Sequence, residues 1–338
     1  MTNSASTGSA AASRAAPIRA AVIQSAPVAF DLERTLGRVA ERAADAAADG
    51  ARLAVFPEAF IGGYPKGSDF GIRLGTRSDE GRAAFERYHA GAIEVPGPAV
   101  DRLGEIAADH GLEIVIGVVE RERGTLYCTA LFLGADGALR AKHRKLVPTA
   151  LERCIWGRGD GSTLSVVDTP LGRIGAAICW ENYMPLYRAT LFARGVELYC
   201  APTVDDRDVW QATARHIAVE GRCFVLSACQ HMRRSDLPSD WKTDAGSAPD
   251  DLLIGGGSVI VDPFGEVLAG PVTGEDAVLV ADLDPGAITR GRFDLDVSGH
   301  YARPDVFDLR VDERPKDTPG EPDARPPGPS RSGDDPGQ

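Results

Sequence analysis

Three short segments carry side chains of types and positions suited to nucleophilic chemistry: PEAFIGGYPKG from Pro57, KHRKLVPT from Lys142 and GAAICWENYMP from Gly175. Each sets a reactive group where a strand-like run ends, the place where α/β enzymes expose catalytic side chains on a rigid sheet. Cys179 closes the apolar run RIGAAIC. A thiol attacks only as the thiolate, so it needs a base, a cation or a helix N-terminus nearby. The helical pattern that starts near Met184 is expected to supply part of that field. Glu58 follows LAVFP. A carboxylate at the end of a buried strand is costly unless paired or protonated, which suits a general acid or base. Lys145 lies in ALRAKHRKL, where alternation puts it on the face of Ala141 and His143, with Lys142 and Arg144 opposite. Taken singly, each residue also has a plain structural reading: a core thiol, a capping or salt-bridged carboxylate, and a solvated lysine on an edge strand.

The elements that must position these groups alternate between short β-like runs and longer helical patterns. Residues 19–24, 53–56, 112–119, 126–133, 138–146, 173–179, 197–201 and 223–229 have the composition of strands. Helical periodicity marks residues 31–49, with Leu32, Leu36, Val39 and Ala43 on one face, and residues 99–110, 184–194 and 208–221. A hairpin is expected across 258–261 and 266–269, turning at Asp262-Pro263-Phe264-Gly265, with 277–282 closing the sheet region. The pattern predicts an α/β sandwich of mixed sheets buried on at least one face. Residues 232–251, rich in Asp, Ser and Pro, are expected to form a surface insertion.

Composition narrows the function classes. The 338-residue chain has a formal net charge of −12, which disfavours binding to nucleic acid or an anionic membrane. No apolar stretch approaches the ~18–20 residues of a membrane span. Six cysteines without a C-x-x-C pair suit free thiols in a reducing cytoplasm. Scattered histidines without H-x-x-x-H argue against a zinc site, and G-x-S-x-G is absent. GRGDGS at 157–162 lacks the ending of a phosphate loop. The Ser/Ala-rich residues 1–17 and the Pro/Gly-rich residues 311–338 cannot bury enough apolar area to offset their ordering entropy, so 18–310 is the expected folded domain.

Together, Pro57-Glu58, His143-Arg144-Lys145-Leu146 and Ile178-Cys179-Trp180-Glu181, in that order, resemble the nitrilase superfamily of carbon–nitrogen hydrolases. GGYPKG, PTALERCIWGRGDGS and CWENYMPLYR look like the true nitrilase branch, most similar to plant-type nitrilases, including those acting on β-cyanoalanine. The resemblance implies a Glu58–Lys145–Cys179 triad supported by Glu152 in P-T-x-x-E-R, with an ion pair to Arg153 as the alternative for Glu152. Tyr64, Trp156, Trp180, Glu181 and Tyr183 are expected at the substrate pocket. It further implies a four-layer αββα sandwich, a homodimer that assembles into spirals, and hydrolysis of an organic nitrile to acid and ammonia without metal or cofactor. Hydration to an amide, amidase or carbamoylase activity, and a non-catalytic scaffold are the alternatives.

Overall fold

In the computed structural model, which describes residues 16–316, strand β1 (Ile18–Gln24) is buried on both faces. Ala20 and Val22 enter one core, while Ala21 and Ile23 enter another. The same split recurs along β2 (Leu53–Val55), where Leu53 and Val55 oppose Ala54. Period-two side chains with no polar face require a layer on each side of the sheet. One layer is helical, formed by α1 (Leu32–Ala48) and α3 (Pro98–His110), whereas α2 (Asp79–Ala90) packs Tyr88 into the other core. The periodic face of α1 buries Leu36, Val39 and Ala43 against this sheet, and the Asp31 carboxylate caps the helix by accepting the Arg34 amide at 3.1 Å.

The first sheet continues through β3 (Glu113–Glu122), β4 (Thr125–Leu133) and β5 (Leu139–Arg144). The second follows with β6 (Val166–Thr169) and β7 (Gly172–Ala176), then α4 (Pro185–Ala193), β8 (Leu198–Thr203), α5 (Val209–Gly221), β9 (Phe224–Cys229), β10 (His231–Arg233), β11 (Leu252–Val261) and β12 (Val267–Thr273). Strand β13 (Ala277–Leu283) returns to the first sheet beside β1, and α6 (Gly286–Asp294) follows it. The strand orders are β13-β1-β2-β3-β4-β5 and β10-β11-β9-β8-β7-β6, with β12 paired to β11. Each sheet has a parallel centre, β1-β2-β3 or β7-β8-β9, with antiparallel flanks. One hydrophobic cluster fills the space between the sheets, a second lies under α1 and α3, and a third lies under α4 and α5. The result is the four-layer αββα sandwich.

Several expectations need correction. The strand expected to run to Cys179 ends at Ala176, and that expected to run to Leu146 ends at Arg144. In both cases one further ladder bond, from the Ala177 and Lys145 amides, follows the strand end. The helix expected from about Met184 does start there, at Pro185, but a 3-10 turn spanning Cys179–Tyr183 that was not expected precedes it. Residues 232–251 are not merely a surface insertion. Trp241 is buried 4.3 Å from the Phe30 ring and 5.7 Å from Phe70, and Thr243 donates to the Lys66 carbonyl at 2.6 Å. The segment therefore pins the loop that follows Glu58. Of the expected tails at 1–17 and 311–338, only residues 16–17 and 311–316 are among the described residues. Residues 311–316 pack on the body, where Glu313 pairs with Arg194 at 2.5 Å and the Lys316 amide donates to Asp160 at 2.7 Å.

Candidate active site

Glu58 is placed by a close backbone approach. After β2 the chain stays bonded to β3, with Phe56 donating to the Val115 carbonyl at 2.8 Å and Gly117 donating to the Pro57 carbonyl at 3.1 Å. A Cβ on Gly117 would lie 2.6 Å from Glu58 Cα and 2.6 Å from the Ala59 nitrogen. Only glycine lets the Glu58 turn sit on β3, so Gly117→Ala should lower stability by about 3 kcal/mol, the upper part of the overpacking range. It should lower kcat as well. Urea unfolding and steady-state rates check this, and a variant as stable and active as the parent would refute it.

The carboxyl of Glu58 is fully buried. Its Oε1 accepts from Lys145 Nζ at 2.6 Å and from the Cys128 thiol at 3.5 Å, and its backbone carbonyl accepts from Gln230 Nε2 at 2.7 Å. Oε2 has no hydrogen-bond partner among the described residues. Burial pushes the Glu58 carboxyl above its ordinary range, and the nearby Lys145 ammonium opposes that rise.

Lys145 follows the last residue of β5 and keeps one ladder bond, its amide donating to the Cys128 carbonyl at 2.8 Å. The alternation read from the sequence holds. Lys142 and Arg144 bind the buried Glu120 at 2.5 and 2.6 Å, while His143 and Lys145 turn inward. The ammonium bridges Glu58 and, at 2.9 Å, Glu152 Oε2. Burial works against this charge, but Glu58, Cys179, Cys128 and Glu152 together raise the Lys145 pKa well above its ordinary value, so it remains a cation. Glu152 caps its own 3-10 turn, accepting the Thr149 amide at 2.6 Å, and accepts from the Tyr64 hydroxyl at 2.8 Å. Arg153 turns instead to the Ala150 carbonyl at 3.1 Å, which disposes of the Arg153 pairing.

Cys179 has φ of +51°, a left-handed conformation that costs a non-glycine residue about 1–2 kcal/mol. Burial raises its thiol pKa above the ordinary range and the Glu58 charge adds to this, while Lys145 and the Thr203 hydroxyl favour the thiolate. Cys179 thus falls within the electrostatic reach of Glu58, Lys145 and Glu152.

The structure separates the expected pocket residues. Tyr64 and Trp156 line a cavity of about 250 Å³ together with Lys66, Glu152 and Ile155. The Lys145 ammonium lies 5.6 Å from the Trp156 ring centroid. Two positive-φ glycines, Gly62 (+96°) and Gly63 (+85°), turn the chain that delivers Tyr64. Trp180 and Tyr183 stand half-exposed, their rings 5.8 Å apart, and Trp180 Nε1 donates to Asp205 at 2.9 Å. Glu181, expected at the pocket, instead lies buried behind Cys179. Cys128, Thr203 and Gln230 were not singled out from sequence, because nothing local marks a residue that reaches the site from another strand.

The matching family model, carbon-nitrogen hydrolase, covers residues 19–293. The chain belongs to the carbon–nitrogen hydrolase family. Within that family it is 57% identical over 293 residues to an aliphatic nitrilase of Sinorhizobium fredii (strain HH103), spanning 87% of this chain and 95% of that protein. It is 54% identical over 297 residues to a bifunctional nitrilase/nitrile hydratase of Lupinus angustifolius, spanning 86% and 85%. Among solved structures, Saccharomyces cerevisiae Nit3, a member of branch 10 of the nitrilase superfamily, superposes with a TM-score of 0.67 at 22% identity. That match covers 87% of this chain and 100% of Nit3. This carbon–nitrogen hydrolase thus shares the fold of a distant relative and most of its sequence pattern with nitrilases.

Proposed function

We propose that the protein is a nitrilase in which Cys179 attacks the nitrile carbon. The observation that carries this reading is the buried Glu58–Lys145–Glu152 chain set beside a strained cysteine. Sequence identity above 50% to named nitrilases supports the substrate class. The buried Glu58 Oε2, without a hydrogen-bond partner among the described residues, takes the thiol proton as sulfur adds to carbon, and returns it to nitrogen to give a thioimidate. Water then adds with Glu58 as base. The Lys145 ammonium, fixed in a site of low dielectric, stabilises the charge that develops. The amino group gains a proton and leaves as ammonia as the carbon–nitrogen bond breaks, the hydroxyl loses its proton to give a thioester, and a second water hydrolyses that thioester to acid and free thiol. Loss of sulfur from the tetrahedral species instead gives an amide, the second outcome this chemistry allows.

A panel of benzonitrile, phenylacetonitrile, an aliphatic dinitrile and β-cyanoalanine, with acid, amide and ammonia measured separately, tests the reading. Ammonia release from at least one nitrile is expected. Turnover of matched amides with none of any nitrile would transfer the assignment to an amidase.

The finer expectations belong to the same proposal. Six free cysteines support a reducing compartment such as the cytoplasm. Among the described residues no helix is long and apolar enough to cross a membrane. Exposed Leu186 on α4, Phe293 on α6 and Phe307 support self-association, which light scattering that found only monomer would overturn.

A further inference from the structure

We propose that Glu181 is a positioning residue for the reaction, fixing the approach of Lys145 to Cys179, with the His143 ring packed against its carboxylate. Lys145 and Cys179 come from different sheets, one just past β5 and the other past β7. Neither sheet alone determines how they meet. A single buried carboxylate spans the gap. Glu181 Oε1 accepts the Leu146 amide at 2.7 Å, and Oε2 accepts the Ile178 amide at 2.8 Å. Leu146 directly follows Lys145, and Ile178 directly precedes Cys179. His143, two residues before Lys145, brings Nε2 to 3.1 and 3.0 Å from the two oxygens of Glu181. The carboxylate therefore collects hydrogen bonds from both sides of Lys145 and from the residue before the nucleophile.

His143 Nδ1 lies 3.2 Å from the Thr163 carbonyl, which can only accept, and Nε2 faces the carboxylate. The side chains of His143 and Glu181 are fully shielded from solvent. The His143 ring stacks on Tyr187 at 5.3 Å, and the Tyr187 hydroxyl donates to the Ala176 carbonyl at 2.6 Å, so the histidine also rests on the end of β7. Asn182 secures the turn from the other side, donating to the Ala177 and Cys179 carbonyls at 2.9 and 2.8 Å. An isosteric amide at 181 would keep the volume but point its NH2 donor at a backbone amide, because the Leu146 and Ile178 N–H groups each donate a hydrogen bond to one oxygen of the carboxylate.

The inference rests on Cys179 as nucleophile and is tested on the full-length chain with Glu181→Gln. In the folded variant kcat should fall by about 100-fold, the scale of an ångström-level misplacement of reacting groups. KM should stay within about threefold, since ground-state binding is untouched. Alkylation of Cys179 by iodoacetamide should slow by about tenfold as the thiol loses its fixed relation to Lys145. A merely structural role would lower the melting temperature without this split. His143→Gln, which keeps a donor toward Glu181, should show the same split in milder form, and it decides the matter if Glu181→Gln does not fold. A folded variant with unchanged kcat and unchanged alkylation overturns the proposal. If the parent turned over no nitrile, the alkylation arm would still report on Cys179, so failure of the nitrilase reading stays distinct from failure of this one.

Discussion

Replacing Cys179 with alanine should leave a folded protein with no measurable nitrile turnover, a loss of roughly 10⁴-fold or more, as when a covalent nucleophile is removed from a catalytic unit. Neither Glu58 nor Lys145 can take over. The first is paired at 2.6 Å with the second, and an ammonium held between two carboxylates has no free electron pair. Stability should change little, because one sulfur is removed from a tightly packed turn. The backbone supplies a second, independent readout. Cys179 sits at φ +51°, where glycine is free of the strain that alanine shares with cysteine. Cys179→Gly should therefore be at least as stable as Cys179→Ala, although glycine is ordinarily the more costly residue by ~0.5–1 kcal/mol. Ammonia release, intact mass after incubation with nitrile, and paired urea melts check both halves. Turnover by the alanine variant sinks the nucleophile assignment. A glycine variant clearly less stable than the alanine variant sinks the strain argument.

What was legible in the sequence follows from where the information resides. Helix α1 was visible because its buried face repeats at helical spacing, and β1, β2 and β8 because uninterrupted apolar runs have no alternative to a two-sided core. By contrast, α2 buries only Gly81 and Tyr88, so it has no apolar stripe to read, and α6 is similarly weak. Residues 232–251 looked like surface because Trp241 and Leu237, which anchor the segment, are isolated in polar sequence.

The site divides in the same way. Glu58, Lys145 and Cys179 each lie in a local motif, so their types and order were readable. Their support is not local: Gln230 reaches Glu58 across 172 residues and Cys128 across 70. Glu181 illustrates the limit. Its place beside Cys179 suggested the pocket, but side-chain direction in a 3-10 turn depends on the left-handed step at Cys179. The sequence contains no glycine there to announce that step.

Lys145→Met should be the most damaging substitution at the site for stability as well as rate. The methionine matches the length of the aliphatic stem but leaves Glu58 and Glu152, which share the ammonium at 2.6 and 2.9 Å, facing each other without a cation. Breaking a buried ion pair from one side typically costs 3–5 kcal/mol. The lower end, about 3 kcal/mol, is expected here because Glu58 can take up a proton and relieve the repulsion. Glu58 is already raised by burial, and Lys145 is the main influence holding it down, so its removal raises that carboxyl further. A carboxyl whose pKa is higher folded than unfolded binds more protons in the native state. Its contribution to stability is therefore present at low pH and lost as pH rises through the folded value. The gap between parent and variant should accordingly widen from about pH 5 to about pH 8. Activity should follow the opposite constraint, because in the proposed mechanism Glu58 must be ionised to accept the thiol proton. The acid limb of kcat/KM in the parent should lie above the ordinary carboxylate range, and any residual activity of the variant should be displaced further upward. Urea titrations at the two pH values, with a pH–rate profile of the parent, decide it. A stability gap that narrows with rising pH would mean that Lys145 does not hold Glu58 in its ionised form.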